Sequence, residues 1–324
     1  MIHLKPSILA STQLKKVKLG DFNFEKNFLL FCTLRNEKIR IPYFLQYYRD
    51  LGVEHFFFVD NDSSDGFIEY VEDMEDVAVY HTEHSYKSSN FGMDWLNYLL
   101  RKYGQNKWCV VCDPDEFLVY PNCETEKLPE FTEYLDSQNQ ISLYCTMLDM
   151  YPKESRDYVE GEDPLISCRY FDKSGYTFKE NSELDSVWTQ GGVRARLLFK
   201  EDMNSAPALN KLPLIKWNYD FCFLSSMHHG YPNVMNSSYR ASMTGAILHF
   251  KFLSMFKEKV EEEIVRGEHY NDSGEYKQYH EQLNELNFFD PKLSVKYNDS
   301  QSLANLGLIK NKELNYDGYN NQSR

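Results

Sequence analysis

The sequence contains no long apolar run, no apolar core of the secretory type within residues 1–20, and no excess of positive charge. No stretch approaches the roughly 20 consecutive apolar residues that a transmembrane helix needs. Lys5, Lys15, Lys16 and Lys18 interrupt the start of the chain, which therefore does not resemble a signal peptide. We expect a cytoplasmic protein. The cluster of Lys15, Lys16 and Lys18 allows at most peripheral contact with the inner face of the cell membrane, because three lysines attract anionic lipid only weakly.

The formal net charge of −14 argues against nucleic acid as a partner, because proteins that follow a phosphate backbone carry the opposite sign. The acidity is compatible with a phosphorylated ligand that arrives with a divalent cation, since the cation reverses the local charge. The seven cysteines are widely scattered and do not resemble a disulfide framework. Cys109 and Cys112 have the Cys-x-x-Cys spacing, but residues three apart on a strand face opposite ways, so we expect neither zinc nor redox use.

Apolar runs of strand length alternate with segments of helical spacing between residues 28 and 112. Buried strands are predicted at residues 28–34, 55–59, 77–80 and 108–112. Helices are predicted at residues 39–51, 67–74 and 91–103. This alternation predicts an α/β fold with a mostly parallel central sheet and helices on both faces. Further along, we expect strands at residues 141–148 and 193–200, an apolar segment at 246–253, and helices at 256–266 and 275–286.

Polar residues follow the predicted strands of this sheet. Ligands of parallel sheets bind beyond the carboxyl ends of the strands, which here are residues 33–37, 60–66, 81–89 and 113–116. The sharpest signal is Asp113-Pro114-Asp115, because two carboxylates two residues apart can hold one Mn²⁺ or Mg²⁺ ion. Such a cation neutralises the charge of a diphosphate leaving group. The alternative interpretation is an exposed acidic turn.

The segment at residues 60–66 is a second acidic strand end. Its spacing resembles a calcium-binding loop, but the preceding residues predict a strand and the first ligand position is Asn61. Asp60 or Asp62 can instead accept a hydrogen bond from a nucleotide base or a ribose hydroxyl. Asx-turn and helix-capping roles would explain Ser63, Ser64 and Asp65 without any ligand.

Several motifs, taken in order, resemble the family 2-like glycosyltransferases, and most closely a bacterial branch related to the family 92 enzymes. The resemblance extends over residues 28–255. It is carried by Thr33-Leu34-Arg35-Asn36-Glu37, by Leu51-Gly52-Val53-Glu54-His55-Phe56, by residues 60–66, by Asp113-Pro114-Asp115-Glu116-Phe117-Leu118, and more weakly by Gly191-Gly192-Val193-Arg194 and Leu248-His249-Phe250-Lys251-Phe252-Leu253.

The resemblance implies a GT-A fold, a nucleotide-diphosphate sugar as donor (a UDP-sugar is favoured) and inversion at the anomeric carbon. It also implies a glycan or lipid-linked glycan acceptor in bacterial surface polysaccharide synthesis. By position, Thr33, Arg35 and Glu37 would border the nucleotide and Asp60 would contact its base or ribose. Asp113 and Asp115 would form the metal motif, and His249 would be a later ligand of the metal or the diphosphate.

With this resemblance, we expect an N-terminal extension at residues 1–27 and a catalytic domain at 28–255. The catalytic domain would consist of a nucleotide-sugar half at 28–120 and an acceptor half at 121–255. A C-terminal helical segment at 256–310 and a flexible tail at 311–324 would follow.

Inverting transfer needs a general base that deprotonates the acceptor hydroxyl. Asp149 follows an apolar strand and is the first candidate, although a structural carboxylate would have the same position. Glu183 and Asp185, before the Gly191-Gly192 turn, are alternatives, and Glu116 is close to the metal motif in sequence.

Four cations could pair with phosphate, and the alternative for each is a solvated surface position: Arg194, Arg196, Lys211 and Lys216.

Two other functions compete with transfer. A sugar-phosphate nucleotidyltransferase would need a glycine-rich or basic loop, and residues 33–38 contain no glycine. The second competing function is that of a non-catalytic glycan-binding protein on the same fold.

Overall fold

A computed structural model describes residues 4–20, 28–154, 161–224, 226–251 and 287–311. Within these ranges the α-helices are α1 (Leu4–Gln13), α2 (Ile41–Asp50), α3 (Phe67–Tyr70), α4 (Met93–Tyr103), α5 (Leu128–Ser137), α6 (Pro164–Ser167), α7 (Gly192–Leu198) and α8 (Ser300–Asn305). Short 3-10 turns occur at Lys87–Ser89, Met203–Ser205, Asn233–Met235 and Ser237–Arg240.

The strands of the first part of the chain are β1 (Lys15–Lys18), β2 (Leu29–Leu34), β3 (His55–Asp60), β4 (Val77–His81), β5 (Trp108–Val111), β6 (Glu116–Val119) and β7 (Ser142–Asp149). Those of the second part are β8 (Tyr170–Asp172), β9 (Thr177–Asn181), β10 (Ser186–Gln190), β11 (Asn210–Lys216), β12 (Cys222–Phe223), β13 (Gly230–Tyr231), β14 (Gly245–His249) and β15 (Ser294–Lys296).

Nine strands form one central sheet in the order β1-β4-β3-β2-β5-β11-β7-β14-β6. Six of them run in the same direction, because β4, β3, β2 and β5 pair in parallel, β7 pairs in parallel with β14, and β11 is antiparallel to both β5 and β7. The strands β1 and β6 at the two edges run in the opposite direction to these six. The predicted α/β fold with a mostly parallel central sheet is therefore confirmed.

Both faces of the sheet are buried, which explains the continuous apolar runs of its strands. Successive residues of β2 enter different cores: Leu30 packs on the side of α2 and α5, and Phe31 packs on the side of α1 and α4. The helix α2 places Phe44 and Tyr48 on the sheet, four residues apart and thus on one face. Phe31 stacks on Phe57 of the neighbouring strand with ring centroids 4.9 Å apart.

The start of the chain contributes to this sheet. The helix α1 packs on α4, where Trp95 Nε1 donates to Gln13 Oε1 at 2.8 Å. The strand β1 then pairs with β4 as an edge strand, and its Lys18 donates to the backbone carbonyls of Val71 and Met74. Lys18, one residue of the basic cluster, therefore ties the edge strand β1 to the segment that follows α3.

One predicted strand is wrong. Residues 193–200 were expected to alternate Arg194 and Arg196 along a strand, but this segment belongs largely to the helix α7. Helical residues two apart point in directions about 200° apart. Arg194 therefore reaches Asp149, whereas Arg196 reaches Asp172. The predicted helices at 256–266 and 275–286, and the tail beyond residue 311, lie outside the described residues.

Among the described residues, no helix is both long and apolar enough to cross a bilayer.

Tyr48 joins α2 to β6 by two buried hydrogen bonds. Its hydroxyl donates to the Glu116 carbonyl at 2.8 Å and accepts from the Leu118 backbone N–H at 3.2 Å. We expect Tyr48→Phe to lower the free energy of unfolding by about 1–3 kcal/mol, because it leaves buried backbone groups unsatisfied. Urea denaturation of Tyr48→Phe and of Tyr219→Phe, a residue that is 55% exposed, provides the comparison. Equal midpoints for the two variants would contradict the role given to Tyr48.

Candidate functional site

Three strands bring Asp149, His249 and Glu116 side by side at the edge of the sheet that is formed by the carboxyl ends of its parallel strands. Asp149 ends β7 and His249 ends β14, and the two residues are partners in the parallel register. His249 is also the register partner of Glu116 on the antiparallel strand β6. Because β6 begins where β14 ends, the turn that precedes it, with Asp113 and Asp115, lies at the same edge. The edge predicted from the strand ends is thus formed by residues more than 130 positions apart in sequence.

A chain of polar contacts leads from this turn into the interior. Asp115 Oδ2 lies 3.4 Å from His249 Nε2, and His249 Nδ1 lies 2.6 Å from Asp149 Oδ1. The other oxygen of Asp149 accepts from Arg194 Nε at 2.7 Å. The Asp149 side chain is 1% exposed and that of Asp115 is 17% exposed. The chain therefore reaches the surface at Asp115.

Neighbouring charges keep the two aspartates of this chain of contacts ionised despite their burial. Burial opposes the charge of Asp149, but Arg194 and His249 lower its pKa to about 2. Burial would likewise raise the pKa of Asp115, yet His249 and Arg40 hold it well below the ordinary value. Burial also opposes the charge of His249, but Asp115 and Asp149 raise the pKa of its imidazole. The two aspartates are therefore anionic at neutral pH.

A second set of contacts surrounds Asp113. Lys211, on β11, is 3.1 Å from Asp113 Oδ2 and 2.8 Å from Glu116 Oε1. Glu116 Oε2 also accepts from the Asp113 backbone N–H at 3.2 Å. Burial raises the pKa of Glu116; burial would lower that of Lys211, but Asp113 and Glu116 raise it. The Asp113 side chain is 39% exposed, so this carboxylate is the accessible member of the set.

Arg40 lies at the start of α2 and links two carboxylates. Its Nη1 is 3.2 Å from Asp115 Oδ2 and its Nε is 3.2 Å from Glu37 Oε2. Neither nitrogen has hydrogen-bond geometry with a described residue, although the side chain is only 8% exposed. Arg40 was not among the cations singled out from the sequence. Its signal is positional, because it directly precedes the helix that follows the first polar strand end.

The two loops expected to hold a nucleotide, at residues 33–37 and 60–66, contact each other through hydrogen bonds and an ion pair. Arg35 Nη1 donates to the Asn61 carbonyl at 2.7 Å and pairs with Asp62 at 3.2 Å. The Asp62 side chain is 55% exposed and remains accessible to a ligand. Thr33 Oγ1 is buried and has no hydrogen-bond partner among the described residues. Thr33, Arg35 and Asp62 thus remain candidates for nucleotide contact, while Glu37 is buried against Arg40.

The direct nucleotide contact expected of Asp60 is not possible in this conformation. Its carboxylate is fully buried, lies 2.8 Å from His81 Nδ1 and accepts from the Ser63 backbone N–H at 3.3 Å. Asp60 therefore supports the loop instead of facing a ligand. Asp65 accepts from the Phe67 backbone N–H, an Asx-turn contact of the kind that the sequence offered as the alternative to calcium, and also from the Lys38 backbone N–H of the neighbouring loop.

The alternative bases Glu183 and Asp185 lie near the amino end of β7, at the side of the sheet opposite to its carboxyl ends. Both belong to the turn between β9 and β10, and Asp185 pairs with the arginine that ends the turn Ser237–Arg240. That turn hydrogen-bonds Ser142, the first residue of β7. Asp149 is the last residue of the same strand, about 23 Å away at ~3.3 Å per residue. The suggestion that Glu183 or Asp185 acts beside Asp113 is therefore wrong.

Of the four cations predicted to pair with phosphate, two lie at the site and two lie elsewhere. Arg194 and Lys211 lie at the site, but Arg194 is 4% exposed and is committed to Asp149. Arg196 pairs with Asp172, and Lys216 pairs with Asp136 near the surface. Of the four, Lys211 alone contacts Asp113.

A scan against protein-family models gives no match for the chain, and a search of curated proteins gives no significant match.

Arg194 balances a buried charge, which makes its loss costly. We expect Arg194→Met to lower the free energy of unfolding by about 3–5 kcal/mol, because Asp149 would keep a buried charge with one partner fewer. The matched control is Lys216→Met, which breaks an ion pair whose side chains are 39% and 41% exposed. We expect the control to lose less than about 1 kcal/mol. Urea denaturation measures both changes, and similar losses would contradict this assignment.

Proposed function

We propose that this chain is a metal-dependent glycosyltransferase of the GT-A type. It would transfer a sugar, with inversion, from a nucleotide-diphosphate donor to a glycan or lipid-linked glycan acceptor. The observation that carries the proposal is the approach of Asp115 and His249 to 3.4 Å at the carboxyl edge of a mostly parallel sheet. The ordered motifs described from the sequence support the choice of a nucleotide-sugar donor, of which a UDP-sugar is favoured.

The donor set suits Mn²⁺ or Mg²⁺. Asp115 offers an oxygen, His249 offers Nε2, and Asp113 is accessible on the same turn. Metal-binding histidines usually direct their second ring nitrogen to a carboxylate, as His249 does towards Asp149. The described residues contain no group of three His, Cys, Asp or Glu side chains gathered around one point. Mn²⁺ and Mg²⁺ commonly complete their coordination with water and substrate phosphates.

When bound, the cation offsets the negative charge that develops on the leaving diphosphate. The residues of the chain then have separate tasks. Lys211 lies beside Asp113 and orients the phosphates by charge, and Arg40 pairs with Asp115. Thr33, Arg35 and Asp62 border the nucleotide.

Asp149 holds His249 and is not the base in this proposal. A general base must reach the proton that it abstracts, and Asp149 is buried with both oxygens in contact with protein partners. Its role is to fix the ring orientation of His249 and to keep Nε2 directed at Asp115.

The metal site is tested by removing its carboxylate. With Mn²⁺ and a panel of nucleotide-sugars, we expect one donor to raise the melting temperature of the wild type in the presence of metal and not in its absence. A donor at 100 times its Kd stabilises by about 2.7 kcal/mol. Asp115→Ala should abolish this shift, and Asp136→Ala, at an exposed ion pair, should retain it. A full shift in Asp115→Ala would remove the metal site from the proposal.

The role of Asp149 has a separate test. Asp149→Asn removes the charge behind His249 while it preserves the shape of the side chain. We expect Mn²⁺ affinity, measured by calorimetry, to fall about 10–100-fold, as for other partners of metal-bound histidines. Unchanged Mn²⁺ affinity together with loss of turnover would indicate that Asp149 is the base after all.

The two competing functions predict different products. A nucleotidyltransferase would release pyrophosphate from a nucleoside triphosphate, and a glycan-binding protein would leave the nucleotide-sugar intact. Release of a nucleoside diphosphate supports transfer over both.

A further inference from the structure

A cleft opens beside Asp115, on the side of α2. It is a shallow cleft, open to solvent, between the start of α2, the Asp113–Phe117 turn and the segment that leads into α6. Phe117 and Phe250 line it from the interior, with ring centroids 5.1 Å apart, and Tyr43 lines it from α2. Its charged members are Arg40, Asp115 and Glu162. The cleft therefore combines aromatic surface with a few polar groups, as sugar and small-molecule sites do.

Two features mark the cleft as a binding site. The first is Arg40, a buried guanidinium whose Nε and Nη1 lack hydrogen-bond geometry with any described residue. Both nitrogens lie 3.2 Å from a carboxylate oxygen, of Glu37 and of Asp115, so the charge of Arg40 is balanced while its capacity to donate hydrogen bonds is not filled. The second is the segment at residues 161–163, which lines the cleft and is held in place by two hydrogen bonds. The Tyr43 hydroxyl donates to the Gly161 carbonyl at 2.5 Å, and Asp163 caps α6 by accepting from the Leu165 backbone N–H at 2.9 Å. Glu162 lies between these two anchored positions.

The other candidate bases are excluded by their surroundings. Asp149 is committed to His249 and Arg194, and Glu116 is 1% exposed and paired with Lys211. Glu183 and Asp185 lie at the far edge of the sheet. Of the two carboxylates that line the cleft, Asp115 is assigned to the metal. Glu162 is the carboxylate that remains beside it.

We propose that this cleft is the acceptor subsite and that Glu162 is the catalytic base, an inference that rests on the proposed transferase function. A sugar unit of the acceptor lies against Tyr43 and hydrogen-bonds Arg40. The Glu162 carboxylate takes the proton of its hydroxyl group. The hydroxyl oxygen forms the new bond to the anomeric carbon of the donor. The bond from that carbon to the diphosphate breaks, and the diphosphate leaves with the electron pair.

The test separates binding of the donor from its turnover. Glu162→Gln is compared with the wild type and with Glu183→Gln, the same change at an exposed position on the opposite edge. Donor binding is read from the Mn²⁺-dependent thermal shift. Turnover is read as release of nucleoside diphosphate, with a panel of p-nitrophenyl glycosides as acceptors and with water alone. We expect Glu162→Gln to keep the thermal shift and to lose turnover at least 100-fold, the lower range for loss of a general base. Glu183→Gln should match the wild type in both assays.

The possible outcomes are distinguishable. No metal-dependent shift in the wild type would contradict the proposed function itself. A normal shift with turnover of Glu162→Gln within threefold of the wild type would overturn the role of Glu162 alone. A higher KM for the glycoside with an unchanged kcat would make Glu162 a binding group and not the base. A wild type that binds donor but cleaves it with neither water nor any glycoside would also contradict a base in this cleft. If Glu162→Gln fails to fold, Glu162→Asp, which shortens the reach of the carboxylate, should show the same separation of shift from turnover.

Discussion

The hydrogen bond between Asp149 and His249 is the interaction on which the site depends. It joins the last residues of two adjacent parallel strands, and both side chains are less than a tenth exposed. A buried carboxylate is costly unless other charges compensate it, and here Arg194 and His249 do so from opposite sides. One requirement of charge balance therefore connects α7, the end of β7, the end of β14 and the turn that carries Asp115.

Much of the framework could be predicted because its signals are local. The runs of β2, β3, β4 and β5 are apolar throughout, since both faces of this sheet are buried. Parallel strands place their carboxyl ends at one edge, so the position of Asp113 and Asp115 follows from the run that precedes them. The link between Asp115 and His249 came from the ordered resemblance and not from spacing, because no local pattern connects residues so far apart.

The errors share a physical origin. Arg194 and Arg196 alternate with apolar residues in a way that suits a strand, but their partners are carboxylates on different elements, and a helix reaches both. Asp60 carries the same local signal as Asp113, yet His81 on the next strand buries it. Glu183 and Asp185 follow the metal motif in sequence and lie at the other edge of the sheet. Pairings across long stretches of chain are set by register and packing, which the sequence does not display locally.

The position of β11 has a consequence for the nascent chain. Among the described strands, β11 alone joins the β1–β5 half of the sheet to the β7, β14 and β6 half, since it pairs with β5 on one side and with β7 on the other. A ribosome completes β5 long before it reaches Asn210, so the β5 edge stays unpaired while the intervening chain is made. An open strand edge is a template for pairing with another chain. Late arrival of β11 makes this protein dependent on slow, long-range closure and exposes it to aggregation during synthesis.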